Sequence, residues 1–336
     1  MKTALKTIYL IVIFALLVTA CAPKPTEAPT AAPKTEEGKP LKVALVLGGV
    51  ITDNGFGAAA YRGLMSAQEE YGVETAYSES VPLAEYENAI RDYANKGFDL
   101  IIGHGSEFGD ALKIVSEEFP DTYFAGTNCF VKGPNLAGLD TKQEEAGFIM
   151  GVVAGQITKA KKIGWVGAKE ILSMKRDNYG FGEGVKAVCP DCEVMTTWVG
   201  AFDDVNKGKE NALALIDKGA DVLVHNADAA GLGVLAAAKE KNVLAIGNVG
   251  DQKDQAPDQV VTSMIRAVSP VVKSIVGEVV SGNFKANTIR VYGFAEGLYY
   301  LTDFNTKLIT PEQIKVTNEW IEKIKAGQVP LEHIVP

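Results

Sequence analysis

Histidine occurs only three times in the 336 residues and cysteine four times, which leaves little for metal chemistry. Cys189 and Cys192 form one CxxC without a second to complete a zinc site, and His104, His225 and His333 are scattered. A nucleophile elbow, an HExxH pair and a Walker loop are all missing, so no enzyme class is marked and no cofactor is expected. "GFGEGV" from Gly180 and "GLGV" from Gly231 lack the preceding strand and the distant acid of a nucleotide fingerprint. Basic clusters are also absent. Lys and Arg number 33 against 42 Asp and Glu, a formal net charge of −9, and no basic stripe offers itself to a nucleic acid.

The longest apolar run lies at the start. Lys2 and Lys6 precede an apolar stretch from Ile8 to Val18, and small residues lead to Cys21 in "VTAC". The run is too short for a comfortable spanning helix and reads as a secretory signal. The ending resembles the lipobox of bacterial lipoproteins, which implies cleavage after residue 20 and a lipid on Cys21. Residues 21–40 are rich in Pro, Ala, Thr, Lys and Glu with no large apolar side chain. Such a segment cannot offset its ordering entropy by burial and is expected to act as a tether. Lipid and tether together place the remaining chain on the extracytoplasmic face of a membrane. Outside the cell, "CPDC" fits a stabilising disulfide between Cys189 and Cys192. A redox pair normally opens a helix after a strand, whereas here a helix ends, turns and enters a strand; paired free thiols are the alternative.

From Leu41 onward the pattern repeats. Apolar runs at "VALVLGG", "VETAYSES", "LIIGHG" and "YFAGTN" alternate with helical segments. After a helical stretch from Thr141 to Ala160, a second set follows with "KIGWVGA", "EVMTTWVG", "VLVHNA" and "VLAIGNVG". Short buried strands between amphipathic helices mean βαβ units and parallel sheets. Roughly 300 residues are also more than one core usually holds. The fold class is therefore α/β, with two doubly wound Rossmann-like lobes joined by a hinge. The first lobe is assigned to 41–160 with part of 268–300, the second to 161–267 with part of 301–336. Near the end, "VVTSMIRA" reads as a strand and "VSPVVKSIVGEVVSG" as a helix. "IRVYGFAEGLYYLTDFN" reads as a hairpin turning at 293–297. A closing helix follows, capped by Thr310 with Pro311 at its first position.

Ligands of open parallel sheets sit beyond the carboxyl ends of the strands. Those positions hold Asp53, Asn54 and Phe56 after the first strand, His104, Ser106 and Glu107 after the third, and Asn128 after the fourth. In the second lobe they hold Phe202, Asn226, Asp228 and Asp251, with Arg266 ending the last strand. Acceptors, two-way amides and aromatic faces suit a neutral, flat, polyhydroxylated ligand. A phosphate would ask for several cations or a glycine cradle. Plainer roles remain open: Asp53 and Asn54 as helix caps, Phe56 as a packing contact, Asp251 as a turn residue, and both histidines as locally satisfied groups.

Several spaced segments carry a further resemblance. "DNGFGAAAYRGL" from Asp53, "GFGEGVKA" from Gly180, "GAFDDVNKGK" from Gly200, "GADV" from Gly219, the pair Asp251–Gln252 and "TSMIR" from Thr262 occur in order. In this the chain resembles the basic membrane protein family of bacterial lipoproteins, substrate receptors of the type I periplasmic-binding-protein-like fold that include purine nucleoside receptors. The resemblance implies a ligand bound between two lobes, an aromatic stack from Phe56 and Phe202, hydrogen bonds from the Asp and Asn set, and an ABC permease as partner. It departs at Gly57, where the family has Asn, at Asn128, where it has an acid, and at Arg266, where it has Lys. Relatives with altered motifs take free nucleobases or other small ligands, so the implied ligand is a purine nucleoside or nucleobase. The alternatives are a sensory lipoprotein reporting occupancy to a membrane receptor, or a sugar or other small polar ligand in the same cleft.

Overall fold

The computed structural model describes residues 39–52 and 55–335. The signal, Cys21, most of the tether, Asp53 and Asn54 lie outside the described residues. Strands and helices alternate through β1 (Lys42–Leu47), α1 (Phe56–Tyr71), β2 (Glu74–Ser78), α2 (Tyr86–Asn95), β3 (Leu100–His104), α3 (Gly109–Glu118), β4 (Tyr123–Thr127) and β5 (Leu136–Thr141). After α4 (Gln143–Ile157) the order resumes as β6 (Lys162–Gly167), α5 (Leu172–Val188), β7 (Glu193–Trp198), α6 (Val205–Asp217), β8 (Val222–Asn226), α7 (Gly231–Lys241), β9 (Leu244–Val249) and β10 (Val260–Arg266). α8 (Val268–Val280), β11 (Ile289–Tyr292), β12 (Tyr299–Leu301) and α9 (Pro311–Lys325) complete it.

Two six-stranded sheets result, in the orders β2-β1-β3-β4-β5-β11 and β7-β6-β8-β9-β10-β12. Each lobe thus repeats one doubly wound pattern. All pairings are parallel except β10 with β12. Central strands such as β1, β3 and β8 are apolar runs buried on both faces, as helices on either side require. The last helix has the expected cap: Thr310 and Gln313 form a reciprocal capping box with Pro311 in the first turn. Cys189 and Cys192 are joined by a disulfide across the turn between α5 and β7.

The lobes exchange chain three times. β5 in the first sheet leads to α4, whose buried residues belong to the core of the second. β10 in the second sheet leads to α8, which packs with α1 on the first. β11 and β12 belong to different sheets. Two expectations are corrected here. The change of lobe falls at residues 141–143 rather than at 160, because α4 is apolar almost all round and is sheathed by second-lobe elements. The alternating segment around 293–297 is a crossover and not a hairpin. Its turn is pinned to α4, with Phe294 N donating to Glu145 Oε2 at 2.8 Å. β5 carried no expectation, because Ala137 and Gly138 remove the bulk that marks a strand. Gly138 is required there, since a Cβ would lie 2.2 Å from the carbonyl oxygen of Val131.

Candidate functional site

A cleft of about 350 Å³ opens between the lobes at the carboxyl ends of β1, β3, β6 and β8. Phe56, Asn128, Phe202, Asn226, Asp228 and Arg266 all line it. Asp251 does not. It is exposed, and its Oδ1 accepts from Lys253 N at 3.1 Å, which is a turn role.

Phe56 is the first residue of α1 and stacks on the His104 ring at 3.8 Å between centroids. His104 is fixed beneath it, with Nδ1 2.6 Å from Thr127 Oγ1 and Nε2 3.0 Å from the Phe56 carbonyl oxygen. Burial drives its pKa down to about 3, so the ring is neutral and acts as a spacer. The Arg266 guanidinium lies 5.4 Å from the Phe56 centroid and donates through Nη2 to Gln143 Oε1. Asn128 sits in the left-handed region at φ 59°. Its Oδ1 accepts from Thr141 Oγ1 at 2.6 Å and Gln143 Nε2 at 3.4 Å, which leaves its amide hydrogens for the cleft.

On the opposite wall, Lys169 Nζ lies 4.6 Å from the centroid of half-buried Phe202. Lys169 follows β6, the counterpart in the second lobe of the loop that holds Phe56. Glu107 faces it from the first lobe, open to the solvent of the cleft yet hemmed by both walls. Desolvation there raises the Glu107 carboxyl, and the charge of Lys169 offsets only part of that rise. Asp204 is used as the cap of α6, accepting from Lys207 N at 2.9 Å, whereas its neighbour Asp203 lines the cleft. His225 is buried and neutral, its pKa lowered by burial to about 4, with Nε2 2.8 Å from Gln252 Oε1. Gln252 thus secures the strand end while Asp251 turns away.

Behind Asn226 and Arg266 stands Asp177, fully buried on α5. It accepts from Trp165 Nε1 at 3.1 Å, and burial raises its pKa to about 7 against the pull of Arg266. Lys169, Gln143 and Asp177 carried no sequence expectation. Lys169 was within reach of the strand-end rule; Gln143 and Asp177 sit inside helical stretches where polar residues carry no mark. Among the described residues, no group of three or more His, Cys, Asp or Glu could hold a metal ion. No described helix is long and apolar enough to cross a membrane.

Comparison with known proteins agrees with this geometry. A family model described as "ABC transporter substrate-binding protein PnrA-like" matches residues 41–332. The chain is similar to the transcriptional activator protein Med of Bacillus subtilis (strain 168), 29% identical over 274 residues, which is 81% of this chain and 82% of that protein. It is also similar to a purine-binding protein of Brucella abortus (strain 2308), 27% identical over 259 residues, covering 76% and 72% of the two chains. Among solved structures, an ABC transporter solute-binding protein from Aeropyrum pernix K1 superposes with a TM-score of 0.80 at 23% identity, covering 88% of this chain and 95% of that one. That likeness shows the type I periplasmic-binding-protein-like fold. The chain belongs to the PnrA-like family of ABC transporter substrate-binding proteins, a family of extracytoplasmic receptors and not of enzymes.

Proposed function

We infer that this protein is a lipid-anchored receptor that delivers a purine nucleoside or nucleobase to the permease of an ABC importer. The observation that carries the ligand is the pairing of aromatic and amide groups on two facing walls. Phe56, Asn128 and Arg266 meet Phe202, Asn226 and Asp228 across about 350 Å³, the small end of the range for single-ligand pockets. Rings stack on a heterocycle, while amides and carboxylate take its edge and any ribose hydroxyls. The purine-binding relative supports the same class. Lobe closure over the ligand would present one population to the permease. Cys21 supplies the anchor in this reading, and Asp53 and Asn54 add to the first-lobe half-site.

Thermal shift of the protein against nucleosides, nucleobases, sugars and amino acids tests it. A ligand at a hundred times its Kd adds about 2.7 kcal/mol of stability. Shifts with inosine, guanosine or adenine and none with ribose support the reading, whereas shifts confined to sugars or amino acids discard the purine. Phe202→Ala is expected to weaken the responding ligand about 30-fold by calorimetry, the size of one lost base–aromatic stack of about 2 kcal/mol. It should leave the melting point nearly unchanged, because the ring is only half-buried. A second reading, a sensor that reports occupancy, is favoured by the relative named as a transcriptional activator. Capture of a permease rather than a signalling receptor by cross-linking in membranes separates the two.

A further inference from the structure

After α9 the chain returns to the first crossover. His333 Nδ1 lies 2.7 Å from Glu144 Oε1, and its Nε2 lies 3.1 Å from Asp140 Oδ2. Asp140 and Glu144 bracket the crossover and are nearly fully buried. Arg176 reaches the same place from α5. Its Nη1 donates to both oxygens of Asp140 at 2.9 and 3.0 Å, and its Nε donates to the carbonyl oxygen of Ile334. Glu332 N faces the Tyr179 hydroxyl at 3.4 Å. Glu144 Oε2 has no hydrogen-bond partner among the described residues, so the carboxylate meets His333 through Oε1 alone.

The crossover held in this way supports the cleft. Asp140 Oδ1 accepts from Thr141 N at 2.8 Å. Thr141 and Gln143 then bond Asn128, and Gln143 accepts from Arg266. A continuous series of hydrogen bonds thus runs from the strap after α9 to Asn128, Gln143 and Arg266, which line the cleft. We propose that His333 is a positioning residue for ligand binding, clasping the crossover between the lobes from the strap after α9.

A ring N–H at position 333 donates to a carboxylate, and alanine there would leave Asp140 Oδ2 and Glu144 Oε1 without that partner. The charged and titratable groups facing the ring are Asp140 and Glu144, with Arg176 and the Tyr179 hydroxyl behind and Glu332 beside it on the strap.

The test has two readouts, because the ligand probe rests on the purine reading and the clasp does not. The first is backbone hydrogen exchange of 139–146 in the ligand-free protein, which is expected to quicken in His333→Ala while α9 stays protected. The second is inosine affinity, which is expected to fall about tenfold in His333→Ala, the size of one partly transmitted charge-assisted hydrogen bond, and to be largely restored in His333→Gln, whose amide nitrogen can still donate to a carboxylate. Unchanged exchange in His333→Ala, or equal inosine affinity in wild type and His333→Ala, would overturn the proposal. If inosine does not bind the wild type at all, the purine reading fails and the exchange measurement alone decides the clasp.

Discussion

Gly184→Ala is expected to cost on the order of 3–5 kcal/mol, while Gly182→Ala, two residues earlier on the same helix, is expected to add about 0.5–1 kcal/mol. The opposite signs come from where each added methyl would go. α4 and α5 lie against each other along a seam of glycines. A Cβ at Gly184 would stand 2.0 Å from the carbonyl oxygen of Phe148, and one at Gly180 the same distance from that of Glu144. From the other side, Gly147 and Gly151 would meet the carbonyl oxygens of Asp177 and Phe181 at 2.0 and 2.2 Å. These neighbours are helix backbone and cannot turn aside as a flexible side chain would. The helices must part, and with them goes packing around Phe148 and Phe181, both buried. Gly182 meets nothing within 4 Å, so alanine there only removes the entropic handicap of glycine in a helix. Denaturant unfolding of the two variants measures both effects. A Gly184→Ala protein as stable as the wild type would mean that the seam is looser than described.

Asp177→Asn is expected to stabilise the protein at pH 8 and to do nothing at pH 4. The folded pKa of Asp177 is raised from 3.8 to about 7 by burial. A group bound more tightly to its proton when folded contributes stability that is fully present below the unfolded pKa and lost as pH rises through the folded one. Roughly three units at about 1.4 kcal/mol each make that loss on the order of 4 kcal/mol by pH 8. Asparagine keeps an acceptor for Trp165 Nε1 and carries no charge to desolvate, so the variant escapes the loss. His104 and His225 act in the opposite sense. Their folded pKa values, about 3 and about 4, lie below 6.5, so their contribution is present above 6.5 and lost on acidification. Subtracting wild type from variant at each pH cancels the histidines. The difference in melting temperature should grow from nothing near pH 4 to a plateau above pH 7. A flat difference would show that Arg266 holds Asp177 ionised throughout.

Both predictions concern residues whose roles the sequence hides to different degrees. Alternation of buried runs and helices was enough to read two doubly wound lobes, because a short strand that is apolar on both faces needs helices on both sides of its sheet. The strand-end rule named Phe56, Asn128, Phe202, Asn226, Asp228 and Arg266, which line the cleft because a parallel sheet delivers those positions to one edge. It missed Lys169, although "VGAKE" follows a strand like the others, and it admitted Asp251, whose direction depends on a turn that spacing does not encode. Gln143 lies hidden at the head of an apolar helix. His333, which bonds both Asp140 and Glu144, comes from nearly two hundred positions away, and no local pattern can reveal such pairs. The crossover at 293–297 is hidden in a similar way: alternation shows that two segments are strands but not which sheet each joins. The glycines of "GFGEGVKA" are visible as a motif, yet what requires Gly180 and Gly184 is a facing helix.

The triple exchange of chain between lobes also sets an order of completion during folding. The first sheet begins with residue 42, but its last strand, β11, ends at residue 292, and the α8 face that covers α1 spans 268–280. Until those residues have emerged, β5 is an open edge and the apolar face of α1, with Ala60, Leu64 and Ala67, has nothing laid against it. The second lobe from α4 to β10 lies between these two parts, and its β12 and α9 follow them. The first lobe therefore stays unfinished until most of the second has been made, and a newly emerged chain carries an unpaired strand and a bare helix face across more than a hundred residues of further synthesis.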